Sequence, residues 1–430
     1  MRYDVLIVGG GPSGSVAGIN LIGAGLRVAI LDRARFPRLK PCGGGISCRV
    51  YGRFPYIDSV MRAVPTNFVN KVVLESPSGN VVHFDSDNPL YAMVRRLEFD
   101  NALLDHCKRS GIEVREGVTI SQVRVTAEGT WLTSTSGEEF VADLVIGADG
   151  VNSTVAVHAG LRGPWQPMQM AVDGTEESRF SEVLARQDAI YVYFGIGGGY
   201  GYGYVFPKST HVNFGVGYLL DYVKKHIPDE PYSHHTRFFE DLKARGVLAG
   251  ESQRQNFRFY PLPFAGPLKR LSSNRILLAG DSAGFVNGFT AEGIYYAMVS
   301  GEHAGRTALA AIHSRNTSAD FLRRYDEACE DEIGSELRTS VGLQKRFYSK
   351  PDLIDMVVRF AGRDKAVRSL IARFGSGRLT YEELKRRVFF EALPGYVGYQ
   401  FAKLRHRMGP GLALDTRARA ANDDANRLNA

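Results

Sequence analysis

The chain has 430 residues, 44% apolar and 23% charged, with a formal net charge of +7. This composition excludes a wholly disordered, collagen-like or coiled-coil chain, and four cysteines over this length exclude a disulfide framework. The positive excess raises three classes of partner, namely nucleic acid, an anionic membrane surface or an anionic small molecule, and its position along the chain separates them.

Residues 4–8 form a short apolar run, expected of a strand buried on both faces, and Gly9-Gly10-Gly11-Pro12-Ser13-Gly14 follows. A helix rich in small residues is expected over 15–25 and a second strand over 27–31, closed by Asp32. Such a unit makes parallel strands with a right-handed crossover. The chain runs straight into its first strand with no signal-like segment, and its cysteines read as thiols of a reducing compartment, so a cytoplasmic location is expected. A Gly/Cys/Pro-rich loop spans 36–48, then a strand pair near 69–84, a helix over 99–109, strand over 111–125 and a buried strand over 141–147. Residues 189–207 run for 19 residues without a charge, but six glycines and five tyrosines predict a hairpin rather than a membrane helix. Around it, 165–260 reads as a separate sheet layer with a helix near 232–245. A buried strand over 275–279 and a long helix over 293–312 follow, then mostly helix over 318–408.

The strongest motif is Gly9-x-Gly11-x-x-Gly14. Gly9 permits the tight turn, Gly11 lets backbone approach a pyrophosphate, and Gly14 allows close helix–strand packing. The helix N-terminus at Pro12 and Ser13 offers free N–H groups to phosphate. Asp32, 18 residues past Gly14, is placed to accept hydrogen bonds from ribose hydroxyls. The motif leaves open whether the dinucleotide is FAD or NAD(P).

Two further segments bear on that choice: Leu144-Val145-Ile146-Gly147-Ala148-Asp149-Gly150 and Ile276-Leu277-Leu278-Ala279-Gly280-Asp281. In this order, each ending a buried strand, they resemble the fingerprints of FAD-dependent hydroxylases of the p-hydroxybenzoate hydroxylase type, and Arg96-x-x-Phe99-Asp100 resembles that superfamily's Arg segment. The resemblance implies that Asp281 holds the ribityl chain of FAD and that a helix beginning near Gly293 and Ile294 faces the flavin. Arg33, Val118, Asp149, Gly150 and Gly280 complete the expected cofactor set.

Within that superfamily, Phe36-Pro37-Arg38-x-Lys40-Pro41-Cys42-Gly43-Gly44-Gly45, the run from Gly288 to Gly301 and the segment from Gly377 to Arg387 resemble the geranylgeranyl reductase family. The implied fold is α/β and α+β: an FAD-binding Rossmann-like (GR2-type) fold, an inserted antiparallel-sheet substrate domain and a C-terminal helical region. The expected division is 1–165 with 258–317 (including sheet near 65–95) for FAD, 166–257 for substrate, 318–412 helical, and 413–430 a flexible tail. The implied reaction is reduction of isolated C=C bonds in a prenyl lipid, prenyl diphosphate, prenylated chlorophyll or quinone. Two departures stand out. Ala291 sits where glycine is expected, and Tyr202-Gly203-Tyr204-Val205-Phe206-Pro207 carries tyrosine where the family has an aromatic/Trp segment.

Reducing an unactivated alkene takes hydride from flavin N5, a proton, and a dry channel. Tyr202, Tyr204, Phe206 and Phe289 read as channel walls or, alternatively, as core packing. Cys42, Gly43 and Gly44, in the loop that the resemblance puts beside the flavin, and Arg96 join the expected cofactor set, and Cys42, Tyr204 and Gly293 are the catalytic candidates; the Cys42 thiol is a proton donor, a ring shield, a partner for Cys48 under oxidation or a small buried residue. Lys40 meets a phosphate or solvent. With no second GxGxxG, the electron donor is NADPH or a ferredoxin-like protein. No His-x-x-x-His or Cys-x-x-Cys supports a metal site. An FAD monooxygenase shares every FAD motif and is the alternative; a halogenase and a flavin-containing carrier rank below it.

The charge is local. Residues 335–410 hold 16 Lys/Arg against 7 Asp/Glu, and residues 1–334 carry a net of −2. No nucleic-acid motif accompanies it. Val367, Leu370, Ile371 and Phe374 fall on one helical face with Lys365, Arg368 and Arg373 nearby, and aromatics at 389–401 precede the cations of 403–407. This pattern suits peripheral contact with the inner face of a membrane, or equally a helical cap with a solvated basic face.

Overall fold

A computed structural model describes residues 2–196, 201–227, 229–375, 377 and 379–387. The first strand, Arg2–Val8, lies at the centre of a mostly parallel sheet. It pairs in parallel with Val28–Asp32 on one side (Val5 opposite Val28) and Glu139–Gly147 on the other (Val5 opposite Leu144). Glu113–Glu116 and Ile276–Leu278 extend the sheet in parallel at its two sides. Val5, Leu6, Ile7, Ile30, Val145 and Ile146 are fully buried, as a sheet covered on both faces requires.

The first helix is Pro12–Ile19, starting three residues earlier and stopping six earlier than expected. Proline at its first turn suits a helix start. Gly23 and Gly25 adopt φ of +73° and +69°, a left-handed backbone that cannot continue the helix. This helix packs against Ile294–His313 so closely that a Cβ on Gly301 would lie 2.2 Å from the Ser13 carbonyl oxygen. The expected strand over 111–125 is two strands, Glu113–Glu116 and Ile120–Val125, broken at Gly117.

The second sheet has seven strands, in the order Phe257–Pro263, Met170–Arg179, His211–Leu219, Gly201–Pro207, Ala189–Ile196, Lys71–Glu75, Val81–Asp85. Ala189–Ile196 and Gly201–Pro207 pair antiparallel, as the hairpin expectation requires. Lys71–Glu75 joins in parallel, with Ala189 opposite Lys71. Thus 71–85 and 258–263, grouped with the first unit from sequence, hydrogen-bond into the second sheet. The helices Ser335–Tyr348, Pro351–Arg363 and Lys365–Gly375 follow in the region read as helical. Val367 and Leu370 are buried, and Ile371 and Ala372 pack with Val82, Phe84, Ile354 and Val358. The apolar face considered for a membrane therefore turns inward onto the strand Val81–Asp85. The aromatic and basic segment at 389–407 and the tail at 413–430 lie outside the described residues. No described helix is long and apolar enough to cross a membrane.

Candidate active site

One cavity of about 580 Å³ lies between the two sheets and runs from the glycine turn to the helix Lys365–Gly375. At the turn, Gly9 has φ +107°, and a Cβ there would lie 2.2 Å from the Ala148 carbonyl oxygen. Gly14 packs against the Gly9 carbonyl. A Cβ on Gly11, by contrast, would meet only Arg38 Nη2, at 3.5 Å, so its outer side stays open to the cavity.

Asp32 is buried, its Oδ2 accepting the Gly10 N–H and its Oδ1 the Ala34 N–H, both at 2.7 Å. It therefore fixes the turn, and each oxygen keeps a second lone pair for a ribose hydroxyl. Asp100 is fully buried and holds two guanidiniums: Arg96 by paired bonds of 2.7 and 2.8 Å, and Arg38 at 3.0 Å. Arg38 Nη1 is buried with no hydrogen-bond partner among the described residues. A buried, unpartnered cationic donor beside an open glycine turn and a helix N-terminus fits a dinucleotide pyrophosphate. Asp149 accepts from the Ser153 hydroxyl and from the N–H groups of Thr154 (2.7 Å) and Val155 (3.1 Å), so it caps the helix Thr154–His158 while lining the cavity. Burial pushes its carboxyl up and those bonds oppose the shift.

Every other residue singled out for the site lines the cavity except Gly14 and Gly280, which only shape its wall. Pro12, Ser13, Arg33, Val118, Gly150 and Asp281 lie on the wall towards the first sheet. Gly293 caps the helix Ile294–His313 and brings its N-terminus to the cavity. Ala291, the departure from glycine, adopts φ +59°, the backbone that glycine takes without strain. Cys42 Sγ accepts the Gly44 N–H at 3.4 Å and is also reached by the Arg96 side chain. A Cβ on Gly43 would lie 2.6 Å from the Phe206 ring, so the loop lies directly on the aromatic strand.

Beyond the loop the wall becomes aromatic. The Tyr204 ring centroid lies 5.8 Å from Tyr202 and 4.7 Å from Phe206. Phe289 lies 6.4 Å from Phe194, 5.5 Å from Phe347 and 6.4 Å from Phe374, centroid to centroid. With Val72, Leu74, Phe84 and Ile371, these residues form an apolar arm reaching the C-terminal helices. Phe289 is thus a wall of both the cavity and the helix packing, so its two readings do not exclude each other.

Sequence reading passed over Asp173, Tyr260 and Tyr348, all on the wall. The available signal for Asp173 was a carboxylate within the apolar stretch of the strand Met170–Arg179, but Glu176 and Glu177 share that strand. Lys40, read as meeting phosphate or solvent, lines the cavity with its ammonium over the Tyr260 ring at 3.4 Å. Burial pulls its ammonium down to about 8, against the attraction of Asp281. No described cluster of His, Cys, Asp or Glu could hold a metal ion.

Residues 2–335 match the family described as FAD binding domain. The chain is 30% identical over 361 residues to the geranylgeranyl diphosphate reductase of Rhodobacter capsulatus, covering 82% of this chain and 86% of that one. It is 29% identical over 355 residues to digeranylgeranylglycerophospholipid reductase 2 of Methanopyrus kandleri, covering 81% and 87%. Its fold is that of a geranylgeranyl bacteriochlorophyll reductase-like protein of Thermoplasma acidophilum, with TM-score 0.76, 21% identity, and coverage of 90% and 98%.

Proposed function

We propose a reaction for this chain from the premise that it belongs to the geranylgeranyl reductase family of FAD-binding oxidoreductases: saturation of isolated C=C bonds in a polyprenyl chain. FAD, when bound and reduced, supplies hydride from N5. The chain's own residues do the rest. Gly11, Ser13 and Arg38 meet the pyrophosphate, and the free lone pairs of Asp32 meet ribose. The apolar arm takes the prenyl chain, excludes water and lays a double bond across the loop of Cys42 and Gly43. The observation that carries this reading is the continuity of the cavity, whose wall passes from the glycine turn through Tyr204 and Phe206 to Phe289 and Phe374.

We take the first sheet and its helices as the cofactor unit, the second sheet as the substrate unit and the C-terminal helices as the closure of the arm. Membrane contact, on this view, belongs to the basic residues of the C-terminal region. The test is anaerobic incubation of the reduced, FAD-loaded protein with geranylgeranyl diphosphate, a prenylated chlorophyll precursor and menaquinone, with NADPH or reduced ferredoxin as donor. Products heavier by hydrogen pairs are expected. In a parallel aerobic incubation with NADPH, oxygen consumed in step with oxygen entering the product would establish a monooxygenase instead.

A further inference from the structure

Asp173, on the wall of the cavity, keeps a carboxylate oxygen that no hydrogen bond uses among the described residues. Asp173 lies on the strand Met170–Arg179, opposite Tyr260 on one neighbouring strand and Gly217 on the other. Its Oδ2 accepts the Tyr204 hydroxyl at 2.9 Å, while its Oδ1 is buried with no hydrogen-bond partner among the described residues. Tyr204 reaches it from two strands away. The strand between carries Gly215 opposite Tyr204, and a Cβ there would stand 2.9 Å from the Tyr204 oxygen. Glycine at 215 therefore opens the path that the phenol takes across the sheet. The same phenol oxygen lies 2.9 Å from Thr175 Oγ1, which in turn lies 3.0 Å from Asn213 Oδ1. A hydroxyl has one proton and can both donate and accept. When Asp173 is ionised, Tyr204 donates to it. When Asp173 is protonated on Oδ2, it donates to Tyr204, which then donates to Thr175, which donates to Asn213. One set of side chains thus accommodates both protonation states.

We propose that Asp173 is the acid that protonates the alkene, with Tyr204 as its positioning residue. The proposal rests on the prenyl-reductase reading above. The proton that is transferred is the one on Oδ1, the oxygen that Tyr204 leaves free: the alkene π pair forms a C–H bond with it as the Oδ1–H bond breaks and its electron pair stays on the carboxylate, the adjacent carbon takes the hydride that reduced FAD would supply, and the carboxylate keeps the Tyr204 hydrogen bond on Oδ2 until water reprotonates it after product leaves. The charged and titratable groups around Asp173 are Tyr202 and Tyr204 from the hairpin, Tyr260 from the edge strand, and Lys40 from the loop with Asp281 behind it; Gly217 brings none. Burial pushes the Asp173 carboxyl up to about 7, and Tyr204 and Lys40 oppose that shift. Cys42 is the worse donor, because the Gly44 N–H and Arg96 both donate towards its sulfur and hold it as an acceptor.

The test compares wild type, Asp173→Asn and Tyr204→Phe, each loaded with FAD and reduced anaerobically with dithionite. Single turnover with a geranylgeranyl substrate is followed by flavin absorbance and product mass from pH 5 to 9. Absence of hydrogenated product from wild type would sink the reductase reading itself. Given wild-type turnover, Asp173→Asn is expected to reoxidise at least ~100-fold more slowly, with FAD content and substrate affinity unchanged. Tyr204→Phe is expected to slow turnover several-fold, because the acid loses its positioning contact, and to shift the falling alkaline limb to higher pH, since a bond that favours the carboxylate is gone. Independently of turnover, the infrared band of a protonated carboxyl in the FAD-free protein should titrate near neutrality and be missing from Asp173→Asn. Wild-type rates and pH profile in both variants, or an unchanged carboxyl band in Asp173→Asn, would overturn the proposal.

Discussion

The two ends of the cavity treat carboxylates in opposite ways. At the glycine turn, Asp32 accepts two backbone N–H groups and Asp100 holds two guanidiniums. On the facing sheet, Asp173 has one phenol partner and one orphaned oxygen. The strand of Asp173 repeats the contrast, for Glu176 accepts from Ser178, Ser252 and the Gln253 N–H, and Glu177 pairs with Lys208 and Arg95. A buried carboxylate with all its partners is architecture; one left short of them keeps its proton and is available for chemistry.

If that distinction holds, the largest loss comes at the turn. Asp100→Ala leaves Arg96 and Arg38 buried without their counter-charge and is expected to destabilise the protein by about 3–5 kcal/mol, read by urea unfolding. Asp32→Ala frees two N–H groups and is expected to lose roughly 2–3 kcal/mol, with lower FAD occupancy read from flavin absorbance. Asp173→Asn should act in the opposite direction. The folded-state carboxyl titrates at about 7, above the unfolded value near 3.9, so the native state holds the extra proton and wild-type stability falls as pH rises through that interval. The variant should therefore be more stable than wild type by up to roughly 4 kcal/mol at pH 8, less the cost of burying its amide, with the gain fading towards pH 4; denaturation at both pH values checks the sign. Ala291→Gly is the smallest change, a gain of up to about 1 kcal/mol from relief of a left-handed backbone. An unchanged melting temperature would show that the surroundings already accommodate the strain.

The parts of the site legible in the sequence are those encoded locally. The glycine turn, Asp32 and the two strand-ending aspartates stand in short runs whose spacing is itself the geometry. Ala291 was visible as an anomaly, and its positive φ supplies the reason. Asp173 was not legible, because its distinction from Glu176 lies in partners supplied by residues 204 and 252–253, which no local pattern connects. The membrane reading of 367–374 had the right periodicity but no way to foresee that the strand at 81–85 would cover that face. Helix ends failed where glycine conformation decides them, as at Gly23.

The composition of the second sheet from three separate stretches of chain has a consequence for how the protein reaches its fold. Lys71–Glu75 must wait for Ala189–Ile196, more than a hundred residues later in synthesis, and Met170–Arg179 is flanked only when Phe257–Pro263 emerges. Pairings so distant in sequence form slowly. Until they close, the nascent sheet carries two bare edges, each a template for another chain. A fragment limited to 166–257 would keep both edges bare permanently. The stretch that looks most like a separable domain in the linear sequence is therefore the one expected to aggregate when expressed alone.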